Sequence, residues 1–158
     1  MNAFFPPAYA LIVGDIEKGY SQDPRDPGNW TSGKVGQGLL KGTKGGISAA
    51  AYPSLDIPNL TPGDMRTLYA HDYWYRSGCD LQGLSWEWSV CLFDCAVNQG
   101  VGLARTLADQ AKGDALELMT QRARHYAATA NEHTFGHSWY HRLFFVLKAA
   151  QTAPPIAP

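Results

Sequence analysis

The sequence predicts a mainly α-helical protein with one small irregular or β-hairpin segment near the N-terminus. Two observations carry this. Beyond residue 61 apolar residues recur at helical spacing, bracketed by recognisable start and stop signals. Residues 21 to 46, by contrast, hold Pro24, Pro27, Gly28, Gly33, Gly36, Gly38, Gly42, Gly45 and Gly46 with few apolar side chains, which suits a loop or an irregular hairpin.

The first helix is expected from about Pro7 to Lys18, because proline is tolerated in a first turn and Gly19 is a natural stop. Tyr9, Ile12 and Ile16 share its core face. Thr61-Pro62-Gly63-Asp64 reads as a helix start, with a threonine cap and an acid in the first turn; that helix carries Met65, Leu68, Tyr69 and Tyr73 and ends near Ser77-Gly78. Ser85 caps the next, with Val90, Phe93 and Val97 on a stripe and Gly100 as stop. Further helices are expected at about Gly102 to Lys112, Ala115 to Asn131 and Ser138 to Ala150, with Gly136 interrupting before the last. The proline-rich tail after Ala153 is read as frayed.

The chain has 158 residues, enough for one domain, and 45% hydrophobic content, enough for a core. Five Trp, eight Tyr and six Phe supply rings for that core and for stacking on flat apolar faces such as sugars. Thirteen basic against fourteen acidic residues leave a net charge of −1, so no basic field exists to attract nucleic acid. Cys79, Cys91 and Cys95 are odd in number and read as small buried apolar residues of a reduced, cytosolic protein. The N-terminus lacks the basic region of a signal peptide, and its apolar stretch is too short to span a bilayer.

Glu17 stands out chemically. It closes the first helix, where the helix dipole and the apolar neighbours Val13 and Ala10 both disfavour a carboxylate. A carboxyl kept protonated near neutrality suits a general acid at a glycosidic oxygen. Asp26, nine positions on (26 − 17), or Asp23 can supply the second carboxylate that glycosidases commonly use; aspartate before proline is equally an ordinary turn element. Asp94 and Asn98 lie one helical turn apart, placed to bind sugar amides or to brace a wall. Among the clustered aromatics Tyr73, Trp74, Tyr75, Trp86 and Trp88, Trp74 is the preferred sugar contact, with a core role as the alternative. His133, His137 and His141 recur every four residues, but no His-Glu-x-x-His is present, and neither metal nor cofactor is expected.

Several motifs in order carry a family likeness. They are Glu17-Lys18-Gly19-Tyr20, Asp23-Pro24, Asp26-Pro27-Gly28 and Gly42-Thr43-Lys44-Gly45-Gly46-Ile47-Ser48, then Tyr52-Pro53-Ser54-Leu55-Asp56-Ile57, Asp72-Tyr73-Trp74 and Phe93-Asp94-Cys95-Ala96-Val97-Asn98-Gln99-Gly100. Together they resemble the glycoside hydrolase family 108 endolysins. The resemblance implies a lysozyme-like helical domain and a muramidase that cuts between N-acetylmuramic acid and N-acetylglucosamine, with Glu17 as catalyst. It makes Thr43 a candidate holder of the attacking water, beside Asp26. Tyr20, next to the acid, joins Trp74, Asp94 and Asn98 as a substrate contact.

Lys18 and Gly45 depart from the family pattern, and Trp30 to Lys41 reads as an insertion. Arg122, Tyr126, Phe135, Gly136, Trp139 and Arg142 resemble the peptidoglycan-binding region that ends such proteins. Residues 1–112 are thus expected to be catalytic, and 113–158 a helical binding region packed on them. The setting implied is phage lysis by a monomer, with bacterial peptidoglycan as the partner and a holin giving access from the host cytoplasm. A lytic transglycosylase using the same glutamate, a zinc amidase built on the histidines and a non-catalytic wall binder are the rivals.

Overall fold

A computed structural model describes residues 3–14, 19–130, 132–152 and 154. It is mainly helical, as expected, with six α-helices and one three-stranded antiparallel sheet among those residues. The chain divides into two compact units, one of Tyr9–Tyr69 and one of Met1–Ala8 with Ala70–Pro158.

The first unit begins with a π-helical turn, Ala10–Gly14, which follows the short helix α1 (Phe5–Tyr9). The helix expected from Pro7 therefore starts two residues earlier and changes its hydrogen-bond register after Tyr9. Its expected end, with Glu17 and Lys18, lies outside the described residues. The strands are minimal: β1 (Tyr20–Ser21), β2 (Thr43–Lys44) and β3 (Ile47–Ser48), in that order across the sheet. Tyr20 faces Lys44 and Ser21 faces Thr43, while Thr43 faces Ser48 and Lys44 faces Ile47. Gly45 and Gly46 join β2 to β3 with φ of 51° and 78°. A two-residue hairpin of this hand needs positive φ at both positions, so Gly45, where the family pattern has an aromatic, suits this turn.

So small a sheet satisfies few backbone groups, and lysines do much of the rest. Lys41 Nζ donates to the carbonyls of Pro53 at 2.7 Å and Leu55 at 3.0 Å. Lys44 Nζ donates to those of Pro58 at 2.8 Å and Leu60 at 2.9 Å. Beneath them Ile47, Ala49, Ile57, Leu60 and Tyr69 are buried, and the Tyr69 hydroxyl donates to the Gly45 carbonyl at 2.7 Å. The insertion Trp30 to Lys41 folds back on itself through a Trp30–Leu40 bridge. Helix α2 (Pro62–Tyr69) starts as expected: Thr61 Oγ1 accepts from the Asp64 amide at 3.1 Å, and the Asp64 carboxylate accepts from the Thr61 amide at 2.9 Å.

In the second unit a π-helical turn, Ala70–Tyr75, leads to a bend at Gly78 with φ of 87°. Helix α3 (Trp86–Gln99) is capped by Ser85, whose hydroxyl accepts from the Trp88 amide at 3.1 Å, and stops at Gly100. It is the central helix, with α4 (Val101–Ala111), α5 (Ala115–Ala127) and α6 (Glu132–Ala150) all packed on it. Phe5, Trp74 and Phe93 meet edge to face at one end of this core, 5.3 to 6.0 Å between centroids. All three cysteines are buried free thiols, as expected. Burial pushes Cys79 and Cys91 up to about 12 and Cys95 to about 11.

Two boundaries differ from expectation. Helix α5 ends at Ala127, four residues short. Helix α6 starts at Glu132 rather than Ser138, and Gly136 is buried inside it instead of breaking it. A Cβ at Gly136 would come within 2.9 Å of Glu132 Oε1, so the missing side chain leaves room for the glutamate one turn earlier. The three histidines therefore share one continuous helix.

Candidate active site

Glu17, the expected acid, lies outside the described residues. Three other predicted residues are brought together around a side chain that the sequence reading passed over, Asn29. This asparagine is fully buried at the end of a 3-10 turn, Pro27–Asn29. Its Nδ2 donates to the Asp23 carbonyl at 3.0 Å, and its Oδ1 accepts from Thr43 Oγ1 at 2.7 Å. Its own carbonyl accepts from the amides of Lys41 and Gly42, both at 3.0 Å. The segment Trp30 to Lys41 thus leaves and rejoins the chain at Asn29. A buried amide with both ends bonded is a rigid bracket. The local cue was slight, since an asparagine after Pro27-Gly28 looks like one more turn residue.

Thr43 spends its only hydroxyl proton on Asn29, which leaves its oxygen lone pairs able to accept from a water. Asp26 caps the 3-10 turn, Oδ1 accepting from the Gly28 amide at 2.8 Å. Its side chain is exposed, and the second oxygen remains available. The turn role weighed for Asp26 is thus present. Asp23 is more committed: Oδ1 accepts from the Arg25 amide at 2.9 Å and Oδ2 from Arg25 Nη2 at 2.7 Å. Those hydrogen bonds from Arg25 hold the carboxyl down at about 2. Of the two aspartates, Asp26 is the less engaged in hydrogen bonds. Tyr20 is 44% exposed, and its hydroxyl donates to the Lys41 carbonyl at 3.2 Å, tying it to the same bracket. Gly42 closes the group with φ of 83°; a Cβ there would lie 2.5 Å from the Ser21 carbonyl oxygen and 2.6 Å from the Tyr20 ring.

The remaining predicted contacts belong to the second unit, and two are corrected. Trp74 is fully buried between Phe5 and Phe93, so its ring is a core element and offers no face to a sugar. Asp94 is likewise wholly buried, with Oδ2 2.8 Å from Arg122 Nη1 and Oδ1 2.8 Å from Arg142 Nε. Both oxygens serve the interior, which leaves none for a sugar amide. Burial works against the Arg122 charge, and the adjacent Asp94 carboxylate more than offsets it, so the guanidinium is held above its ordinary range. Asn98 is half-buried, and its Oδ1 accepts from the Tyr126 hydroxyl. Among the described residues no three His, Cys, Asp or Glu side chains group to hold a metal ion.

The first unit thus carries a braced hydroxyl, Thr43, and an exposed carboxylate, Asp26, on a glycine-rich loop. The sequence model of one family, described as glycosyl hydrolase 108, matches residues 11–100, and the chain belongs to that family. It is therefore a glycoside hydrolase. The match takes in Glu17, Tyr20, Asp26, Asn29 and Thr43 and ends at Gly100, before α4. No curated protein and no solved structure matches the chain.

Proposed function

We propose that this glycoside hydrolase is a muramidase of the phage-endolysin kind, cutting peptidoglycan glycan strands between N-acetylmuramic acid and N-acetylglucosamine. The observation that carries the reading is the Thr43–Asn29 bracket, which ties the motif residues Tyr20, Asp26 and Thr43 together inside the matched segment. In this reading Glu17 protonates the leaving oxygen, and the ring passes through an oxocarbenium-like state. Asp26 takes the proton of a water whose position Thr43 fixes by accepting its other hydrogen. Residues 1–112 carry the catalysis, 113–158 add affinity for the wall, and a holin gives access to it.

The test is clearing of outer-membrane-permeabilised Gram-negative cells by wild type and by Glu17→Gln, with the released fragments weighed. Clearing by wild type only, with reducing muramic ends, supports the muramidase. Fragments lighter by one water, with anhydro ends, replace it by a lytic transglycosylase. Equal clearing by Glu17→Gln removes the glutamate from the mechanism.

A further inference from the structure

The second unit holds an open groove that the proposed mechanism does not use. Its volume is about 780 Å³, within the ~300–1,000 Å³ of ligand sites. It is bounded by the bend after Tyr75, by α3 and by α4.

Three features of the lining define what fits. Leu84, Trp88 and Leu92 supply apolar surface, and Leu81, 62% exposed, extends it toward solvent. Gly78, Gly102 and Ala108 keep the lining low, so a ligand backbone can come close. The third feature is charge. Arg76 and Arg105 line the groove and are exposed, so both guanidinium groups can be reached from water. Neither side chain makes an ion pair or a hydrogen bond among the described residues. Asp109 lines the same groove, exposed and equally unengaged. Arg105 and Asp109 stand four apart on α4, a spacing at which opposite charges commonly pair; here they do not, and both stay open to a ligand. The groove thus carries one excess positive charge (2 − 1) over an apolar lining. A guanidinium fork matches a carboxylate with two parallel hydrogen bonds. The complement is a short acidic peptide with small apolar side chains, at least two carboxylates and one ammonium.

We infer that this groove binds the stem peptide that the muramic acid of peptidoglycan carries. Its carboxylates meet Arg76 and Arg105, the ammonium of its diamino acid meets Asp109, and its alanine methyls lie against Leu84 and Trp88. The inference rests on the muramidase reading for the source of the peptide. It adds a determinant of substrate choice, since an enzyme that grips the peptide favours peptide-bearing strands over stripped ones.

The probe is the free tetrapeptide L-alanyl-γ-D-glutamyl-meso-diaminopimelyl-D-alanine, which has no glycosidic bond and can be titrated into the active protein. The side-chain Nε–H signals of Arg76 and Arg105 are followed in nitrogen–proton correlation spectra. Both should shift in a saturable manner. Arg76→Gln and Arg105→Gln exchange exposed side chains, and each should weaken binding about tenfold or more. Amidating the carboxylates of the tetrapeptide should weaken it by at least about as much. Absence of saturable shifts, unchanged affinity in either variant, or equal binding of the amidated peptide overturns the site. Shifts of the same signals with phosphatidylglycerol vesicles but not with the tetrapeptide would also overturn it and assign the groove to a lipid surface. Peptide binding without wall clearing by wild type would overturn the muramidase and leave the groove standing; clearing without peptide binding would do the reverse.

Discussion

Asp94 offers the sharpest quantitative test of the second unit. Its side chain and that of Arg122 are fully buried, 2.8 Å apart, while Arg142 is 12% exposed and bonds the other oxygen. Asp94→Asn removes the only carboxylate paired with Arg122 among the described residues and leaves an amide of nearly the same shape, so packing is conserved and electrostatics are isolated. Arg142 can turn partly toward water, but Arg122 cannot, and its hydrogen bond to Gln99 is to a neutral acceptor. Stripping one partner from a buried pair is unfavourable by about 3–5 kcal/mol. The amide oxygen still accepts from one guanidinium, so the lower part of that range, about 3–4 kcal/mol, is expected. For a chain of this length that lowers Tm by about 6–16 °C. Trp74, Trp86, Trp88 and Trp139 all lie in this unit, so tryptophan fluorescence during urea unfolding reads it directly. Arg142→Met, which leaves the Asp94–Arg122 pair intact, should lower stability by only about 1–2 kcal/mol. If Asp94→Asn unfolded within about 0.5 kcal/mol of wild type, the reasoning about an uncompensated buried cation would be wrong.

Other outcomes follow from the first unit and the thiols. Asp26→Asn preserves an oxygen for the Gly28 amide, so Tm should hold within about 0.5 kcal/mol while wall-clearing activity falls at least about a hundredfold; unchanged activity would confine Asp26 to its turn. Thr43→Val orphans the buried Asn29 oxygen and should destabilise by about 1–3 kcal/mol, whereas Thr43→Ser should restore both stability and clearing. Gly42→Ala should lower stability by about 2–5 kcal/mol in calorimetry, from positive φ together with a clash against Ser21 and Tyr20. The cysteine pKa values are raised from 9.0 to about 11 or 12, so their contribution is intact below pH 9 and lost as pH climbs toward 12. Native protein should accordingly resist thiol reagents at pH 8, with all three cysteines reacting only in denaturant.

The features legible in the sequence are those whose causes are local. Thr61 with Asp64, Ser85 and Gly100 each act within one helical turn, and the helix ends fall where those residues predict. Thr43 and Asp26 were legible as an ordered motif. Gly136 misled because its conformational preference is local, while its reason for being there, room for Glu132, depends on side-chain packing. Asp94 meets Arg122 and Arg142 across 28 and 48 positions (122 − 94 and 142 − 94), and no periodicity announces such a pairing. Trp74 shows the same limit: an aromatic in a cluster reads alike whether it faces sugar or Phe93. Asn29 escaped because burial of a turn amide is a property of the chain returning to it at Lys41 and Gly42.

Two lysines of the first unit, Lys41 and Lys44, bear on how such an enzyme is handled. Lys41 and Lys44 each knot a stretch of loop by reaching two carbonyls with one ammonium. Acylation takes away both the charge and the extra protons, and an arginine, whose fork is planar and rigid, cannot reproduce the grip. Coupling the protein to a surface or polymer through its amines would therefore untie the loop region that carries Thr43. Attachment chemistry for an immobilised form belongs on carboxylates remote from Asp26, with the ammonium groups left bare.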